Sequence, residues 1–132
     1  MTNSPPAANG SIVLVAEDEA LVRMFASDLL EEAGFRVIEA RNAAEALERL
    51  HECTDVSAVF TDIEMPPGMN GMSLAGEITQ RWPGVAVLIS SGKMRPASSD
   101  LPPGARFLPK PYAPDVLVQA IRDMVRRKRP IS

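Results

Sequence analysis

A chain of 132 residues, 45% of them apolar, has enough material for one buried core and too little for two domains of ordinary size. Its 14 basic and 17 acidic residues leave a net charge of −3, which argues against nucleic-acid binding by the whole domain. The longest apolar runs, Ile12–Ala16 and Val85–Ile89, are far too short to span a membrane, and Met1–Gly10 has no basic stretch leading into an apolar one, so neither a membrane span nor a secretory signal is expected. The lone Cys53 has no intramolecular disulfide partner and reads as a filler at a helix end, which makes the cytoplasm the expected compartment.

Residues 1–11, rich in proline and small polar side chains, read as a disordered lead-in, residues 12–129 as the domain, and residues 130–132 as a frayed tail. Ile12–Ala16 is a continuous apolar run, the mark of a strand buried on both faces; Val56–Phe60 and Val85–Ile89 repeat it, while Phe35–Glu39 and Ala105–Leu108 are weaker strand candidates. Between the strands the period becomes helical. A first helix places Leu21, Met24, Phe25 and Leu29 on one face and stops at Gly34. A second starts at Asn42, a side-chain cap answered by Glu45. A third runs from about Met72 to Trp82 and ends at Pro83-Gly84; the last starts near Pro114 and stripes Leu117, Ala120, Ile121 and Met124. The basic run Arg126–Arg129 falls at the end of that helix, where cations complement the macrodipole, and is not taken as a nucleic-acid or membrane contact.

Alternating strands and helices imply an α/β fold, a parallel sheet with helices on both faces. Ligands of such sheets bind beyond the carboxyl ends of the strands. Four polar groups fall there: Glu17-Asp18-Glu19, Thr61-Asp62, Ser90-Ser91-Gly92 and Pro109-Lys110-Pro111. Taken alone, Asp18 reads as a helix cap sooner than as a ligand. Asp62 does not, because Met65-Pro66-Pro67-Gly68 behind it cannot continue a helix. Three carboxylates converging on one rim repel one another, and without nearby Cys or His they suit a hard cation such as magnesium. With Lys110 as a fixed positive charge and a serine hydroxyl as donor, the set describes a carboxylate that attacks a phosphorus centre.

Val15-Ala-Glu-Asp-Glu19, Thr61-Asp-Ile-Glu-Met-Pro66 with Asn70-Gly71, and Phe107-Leu-Pro-Lys-Pro111 closely resemble the receiver domains of two-component response regulators, over about Ile12 to Arg127. The resemblance implies a flavodoxin-like fold of five parallel strands and five helices. It implies Asp62 as phosphoacceptor, Mg2+ held by Glu17, Asp18, Asp62 and the backbone carbonyl of Glu64, and Lys110 as the family's invariant lysine before a cis bond to Pro111. Ser91 matches the switch hydroxyl, with Ser90 its rival, and Phe107 the aromatic that turns inward on activation. Partners implied are a sensor histidine kinase or a histidine phosphotransfer protein, a downstream protein target and, as in some relatives, a second copy in a homodimer.

The sequence departs from the family pattern in three places. The turn Pro66–Gly71 looks one residue longer than usual. Pro96, Pro102, Pro103 and Gly104 leave room only for a short or irregular fourth helix. Phe107 lacks the hydroxyl of the tyrosine often found there. Glu64 and Lys93, two positions beyond Asp62 and Ser91, carry opposite charges, and a pair across the mouth of the site and two independently solvated side chains are equally open readings. The expected function is a stand-alone phosphorylation switch that catalyses only its own phosphorylation and dephosphorylation. Two other readings were a receiver that signals without phosphate and a small magnesium-dependent phosphohydrolase with Glu64 as proton carrier. A flavin- or nucleotide-binding site is disfavoured because Glu17-Asp18-Glu19 would repel phosphate.

Overall fold

The computed structural model describes residues 10–66 and 68–128. The expected frayed tail, most of the lead-in and Pro67 of the long turn lie outside the described residues. Strand β1, Ile12–Ala16, is buried at every position, as its unbroken apolar run requires. It lies between β2, Arg36–Ala40, and β3, Val56–Asp62, both parallel to it; β4, Ala86–Ser91, and β5, Arg106–Pro109, extend the sheet in the order β2-β1-β3-β4-β5. The chain moves outward from β1 to β2 and then returns past β1 to β3. The strand order therefore reverses at β1 and β3, and a crevice opens beyond their carboxyl ends.

Side-chain alternation builds two cores from these strands. Ile12, Leu14, Ala16, Val59, Val87 and Ile89 face helices α2, Ala43–Glu52, and α3, Gly71–Arg81, where Ala46, Leu50, Leu74 and Ile78 are buried against them. Val13, Val15, Ala58, Phe60 and Leu88 face α1, Ala20–Glu32, and α4, Pro114–Lys128, through Ala26, Leu30, Leu117 and Ile121. Among the described residues no helix is long and apolar enough to cross a membrane.

The face that α1 buries differs from the expected one. Leu21 is 80% exposed and Met24 and Phe25 about half exposed, while Ala26, Ser27 and Leu30 are buried. Both stripes satisfy the helical period. Packing selects the one containing Ala26, whose small side chain lets the helix sit close on the sheet, and leaves Leu21, Met24 and Phe25 of the expected stripe outside, while its Leu29 packs half-buried against the core. The cap at Asn42 forms as expected, accepting from Glu45 N at 2.8 Å, but Glu45 reaches back one residue further and accepts from Arg41 N at 2.7 Å. Asn70 caps α3 in the same way through Ser73 N at 2.9 Å.

Between β4 and β5 there is a single 3-10 turn, Ser98–Asp100, so among the described residues four α-helices stand where five were implied. The irregular fourth helix was legible in Pro96, Pro102 and Pro103, which remove amide donors and clash with a continuing helix.

Replacing Leu30 and Leu21 tests which face of α1 is structural. Leu30→Ala should lose about 2–5 kcal/mol in denaturant unfolding, whereas Leu21→Ala should stay within about 0.5 kcal/mol of the parent.

Candidate functional site

Glu17 leaves β1 at the reversal point and is 6% exposed. Its amide donates to Ala40 O at 3.0 Å and its carboxylate accepts from Glu19 N at 3.1 Å. Arg23, one turn into α1, donates to Glu17 O at 2.9 Å while its Nε pairs with Glu39 at 2.8 Å. The acid is thus fixed from both neighbouring elements. Asp18, beside it, is exposed and does not cap the helix: the cap position belongs to Glu19, which makes no side-chain cap bond. The cap reading of Asp18 therefore falls away.

Asp62 ends β3 opposite Ser90 and is 7% exposed. The chain then loops out and returns at Gly71, whose amide donates to Ile63 O at 2.9 Å. A Cβ at Gly71 would overlap the carbonyl oxygen of Asp62 and lie 2.8 Å from its carbonyl carbon. Only glycine lets the return pass so close, which gives the Asn70-Gly71 pair a steric reason.

Lys110 arrives from the end of β5, its amide held by Ser91 O at 3.0 Å, and the Lys110-Pro111 bond is cis as the resemblance implied. Its ammonium donates to Glu17 Oε1 at 3.1 Å and lies 3.1 Å from Asp62 Oδ1. The second contact is one of charge rather than a well-directed hydrogen bond, and Asp62 Oδ1 is left buried without a hydrogen-bond partner. Burial raises the pKa of Asp62 above the ordinary carboxylate range; Lys110 opposes this, and Glu64 and Asp18 reinforce it. Burial likewise raises Glu17, against the Glu19 amide and Lys110 and with help from Asp62. For Lys110 burial alone would lower the pKa, but Glu17 and Asp62 together outweigh it and hold the ammonium charged.

One carboxylate oxygen each from Glu17, Asp18 and Asp62 come within 4.8 Å of one another. An all-oxygen donor set, with one buried oxygen lacking a hydrogen bond, fits a hard divalent cation. Glu17, Asp18, Asp62, Glu64, Lys93 and Lys110 line an open cleft of about 380 Å³.

The two serines separate cleanly. Ser90 Oγ donates to Leu108 O at 2.6 Å and ties β4 to β5. Ser91 points the other way, donates to Glu64 Oε2 at 2.7 Å and accepts from the amides of Lys93 and Met94 at 3.0 and 2.9 Å. The Glu64–Lys93 pair is replaced by this contact: the carboxylate takes a buried hydroxyl donor, and Lys93, on the exposed surface, joins through its amide. Phe107 lies beside Ile89 in the β4–β5 register, partly buried against the α2–α3 core.

Tyr112 and Arg23 were not singled out from the sequence. Tyr112 stacks edge-on against Phe60 at 5.8 Å and, with Val15, Ala26 and Asp62, lines a small cavity under the site; burial raises the pKa of its hydroxyl. Both lie close to site residues along the chain, but the partners that fix them, Phe60 for Tyr112 and Glu39 for Arg23, come from other strands.

A doubly covered parallel sheet with three acids, a lysine and a serine at its switch point defines an α/β domain with a strand-end site suited to a hard cation. The model of the response regulator receiver domain matches residues 13–122, and the chain belongs to that family. Response regulator receiver protein CpdR of Brucella abortus is 37% identical over 116 residues, covering 86% of this chain and 95% of that protein. Sensor kinase CckA of the same organism is 33% identical over 125 residues, but the match covers 92% of this chain and only 13% of the kinase. A crystal structure of a response regulator receiver domain protein from Clostridium thermocellum superposes with a TM-score of 0.79 at 31% identity, covering 89% of this chain and 96% of that one. Receiver domains are signalling domains rather than classical enzymes.

The raised pKa of Asp62 has a stability consequence. A carboxylate raised in the folded state weighs fully against the fold above its folded pKa, and the penalty disappears as pH falls below the ordinary carboxylate value. Asp62→Asn should therefore melt a few degrees above the parent at pH 7 in chelator, and the gap should close toward about pH 4, as followed by circular dichroism.

Proposed function

We propose that this receiver domain accepts a phosphoryl group on Asp62 from a phosphohistidine of a sensor histidine kinase or a histidine phosphotransfer protein, and passes the change to a downstream protein target. The observation that carries the reading is Asp62 Oδ1: buried, without a hydrogen bond, and set beside the charged Lys110 at the end of an open cleft. A carboxylate oxygen held by charge rather than by a directed hydrogen bond keeps a lone pair available for attack. That oxygen forms the bond to phosphorus as the phosphorus–nitrogen bond of the donor breaks, and the electron pair leaves with the imidazole. Glu17, Asp18, Asp62 and the backbone carbonyl of Glu64 would hold magnesium, which when bound offsets the repulsion between the acids and the incoming phosphoryl oxygens. Lys110, already charged and anchored by Glu17, reads the new charge on Asp62.

The α1 face left outside the core gives the donor a seat. Leu21, Met24 and Phe25 are exposed, and Phe25 with Val22, Gly92, Lys110, Pro111 and Tyr112 lines a mainly apolar open groove of about 460 Å³ that reaches Lys110. A donor helix laid there would bring its histidine to the mouth of the cleft. A phosphohydrolase reading is less well supported, because the Glu64 carboxylate that would carry protons is engaged by Ser91.

Acetyl phosphate with magnesium should label the parent protein stoichiometrically and leave Asp62→Asn unlabelled, as read by intact-mass spectrometry. Lys110→Ala should still label but lose the coupling to partner binding. In calorimetry Asp18→Ala should weaken magnesium binding strongly and Glu17→Ala less, since Glu17 is already shared with Lys110 and the Glu19 amide. Calorimetry is the suitable probe because Trp82 precedes the start of β4, at the far end of the strand from Ser91.

The irregular stretch from Lys93 to Gly104 is the moving part of the output surface in this reading. It is mostly exposed, starts beside Ser91, and ends beside Phe107. Beryllofluoride, a phosphoryl mimic, should change hydrogen-exchange protection between Lys93 and Phe107 more than in any other segment; changes confined to another element would remove this stretch from the output.

A further inference from the structure

The hydroxyl of Ser91 is fully committed. It has one proton, given to Glu64 Oε2 at 2.7 Å, and two acceptor positions, filled by the amides of Lys93 at 3.0 Å and Met94 at 2.9 Å. The residue is 0% exposed, although the cleft beside it is open and Glu64 lines that cleft. No capacity is left for a phosphoryl oxygen until a bond is given up. Of the three partners, the two amides belong to the chain just beyond β4, and only the Glu64 carboxylate is a side chain free to swing away.

We infer that Glu64 is a positioning residue that latches Ser91: its side-chain carboxylate occupies the donor bond a phosphoryl group on Asp62 would need, and so holds the domain in its unphosphorylated arrangement. The inference rests on the phosphoacceptor reading of Asp62 and adds a role for this side chain separate from the backbone carbonyl assigned to the metal. The carboxylate competes for the hydroxyl as a charged acceptor, the same chemistry that a phosphoryl oxygen offers. Phosphorylation must therefore exchange one charged acceptor for another, and the gain on switching is the difference between them rather than a whole hydrogen bond. Because the Ser91 oxygen also accepts from Lys93 and Met94, its release loosens the first residues of the irregular stretch 93–104 at the same moment.

Glu64 also acts on Asp62 through its charge, so removing it would favour an anion even without a latch. A double-mutant cycle separates the two effects. Beryllofluoride affinity with magnesium present should rise about tenfold more on Glu64→Ala when Ser91 is present than in a Ser91→Ala background, the size of one hydrogen bond to a charged group. Glu64→Gln, which drops the charge and keeps an acceptor for Ser91, should gain less than Glu64→Ala. Additive effects, or equal gains from glutamine and alanine, would reduce Glu64 to a charge and overturn the latch. A second readout does not need Asp62 to bind anything: in the metal-free protein, exchange of the Lys93 and Met94 amides should be severalfold faster in Glu64→Ala than in the parent, and unchanged rates would overturn the latch as well. If the parent binds no beryllofluoride, the phosphoacceptor reading fails, and the amide rates alone decide whether Glu64 holds Ser91.

Discussion

The ammonium of Lys110 between Glu17 and Asp62 is the contact on which the rest of the site depends. Two nearly buried carboxylates at one strand-end rim repel each other and lose solvation, and one charged group contacting both at 3.1 Å keeps the pair tolerable. That contact is assembled from three strands: Glu17 follows β1, Asp62 ends β3 and Lys110 follows β5. It exists only if the sheet order and register are correct. The compensation is incomplete, since Asp62 Oδ1 has charge beside it but no directed hydrogen bond. The residual cost is what a cation at this rim would relieve, so cation binding and stability are linked at one atom.

Around that contact the molecule divides into a rigid half and a loose half. On the β1–β3 side the two buried acids are held: Arg23 grips the Glu17 backbone, and Gly71 packs against the carbonyl of Asp62 with no room for a side chain. On the β4–β5 side the chain beyond Ser91 makes one 3-10 turn and otherwise runs exposed to β5. Ser91 is the junction between the halves, bonded to Glu64 behind Asp62 and to the first amides of the loose stretch. A change of charge at Asp62 meets firm resistance in one direction and little in the other.

The surface follows the same logic. α1 turns the small side chain of Ala26 inward and leaves Leu21, Met24 and Phe25 outside, next to the groove that reaches Lys110. Exposing three large apolar side chains on one helix is costly for a domain that acts alone and useful for one that another protein meets beside its acidic cleft.

Much of this was legible in the sequence because it depends on local chemistry. Apolar runs, unbroken in β1 and β4 and interrupted only by Ser57 in the Val56–Phe60 part of β3, marked doubly covered strands, Asn42 marked a helix start, and the prolines after Ser91 removed a regular helix. Acids, serines and a lysine immediately after strands could be assigned to one rim, since parallel strands present all their carboxyl ends together. What the sequence left open, it left open for a physical reason. Leu21, Met24 and Phe25 satisfy helical periodicity as well as Ala26 and Leu30 do, and only the distance at which α1 packs on the sheet decides between the stripes. Glu64 faced Lys93 on paper by charge, but the fold offered it a buried hydroxyl, and a desolvated donor outcompetes an exposed ammonium. Arg23 and Tyr112 act through a guanidinium and a ring that tertiary packing brings to Glu39 and Phe60, and the steric reason for Gly71, already part of the sequence pattern with Asn70, appears only where the chain returns against Asp62. The residue types that make the chemistry possible belong to the sequence; which of them touch, and which bond must break before another can form, belongs to the folded chain.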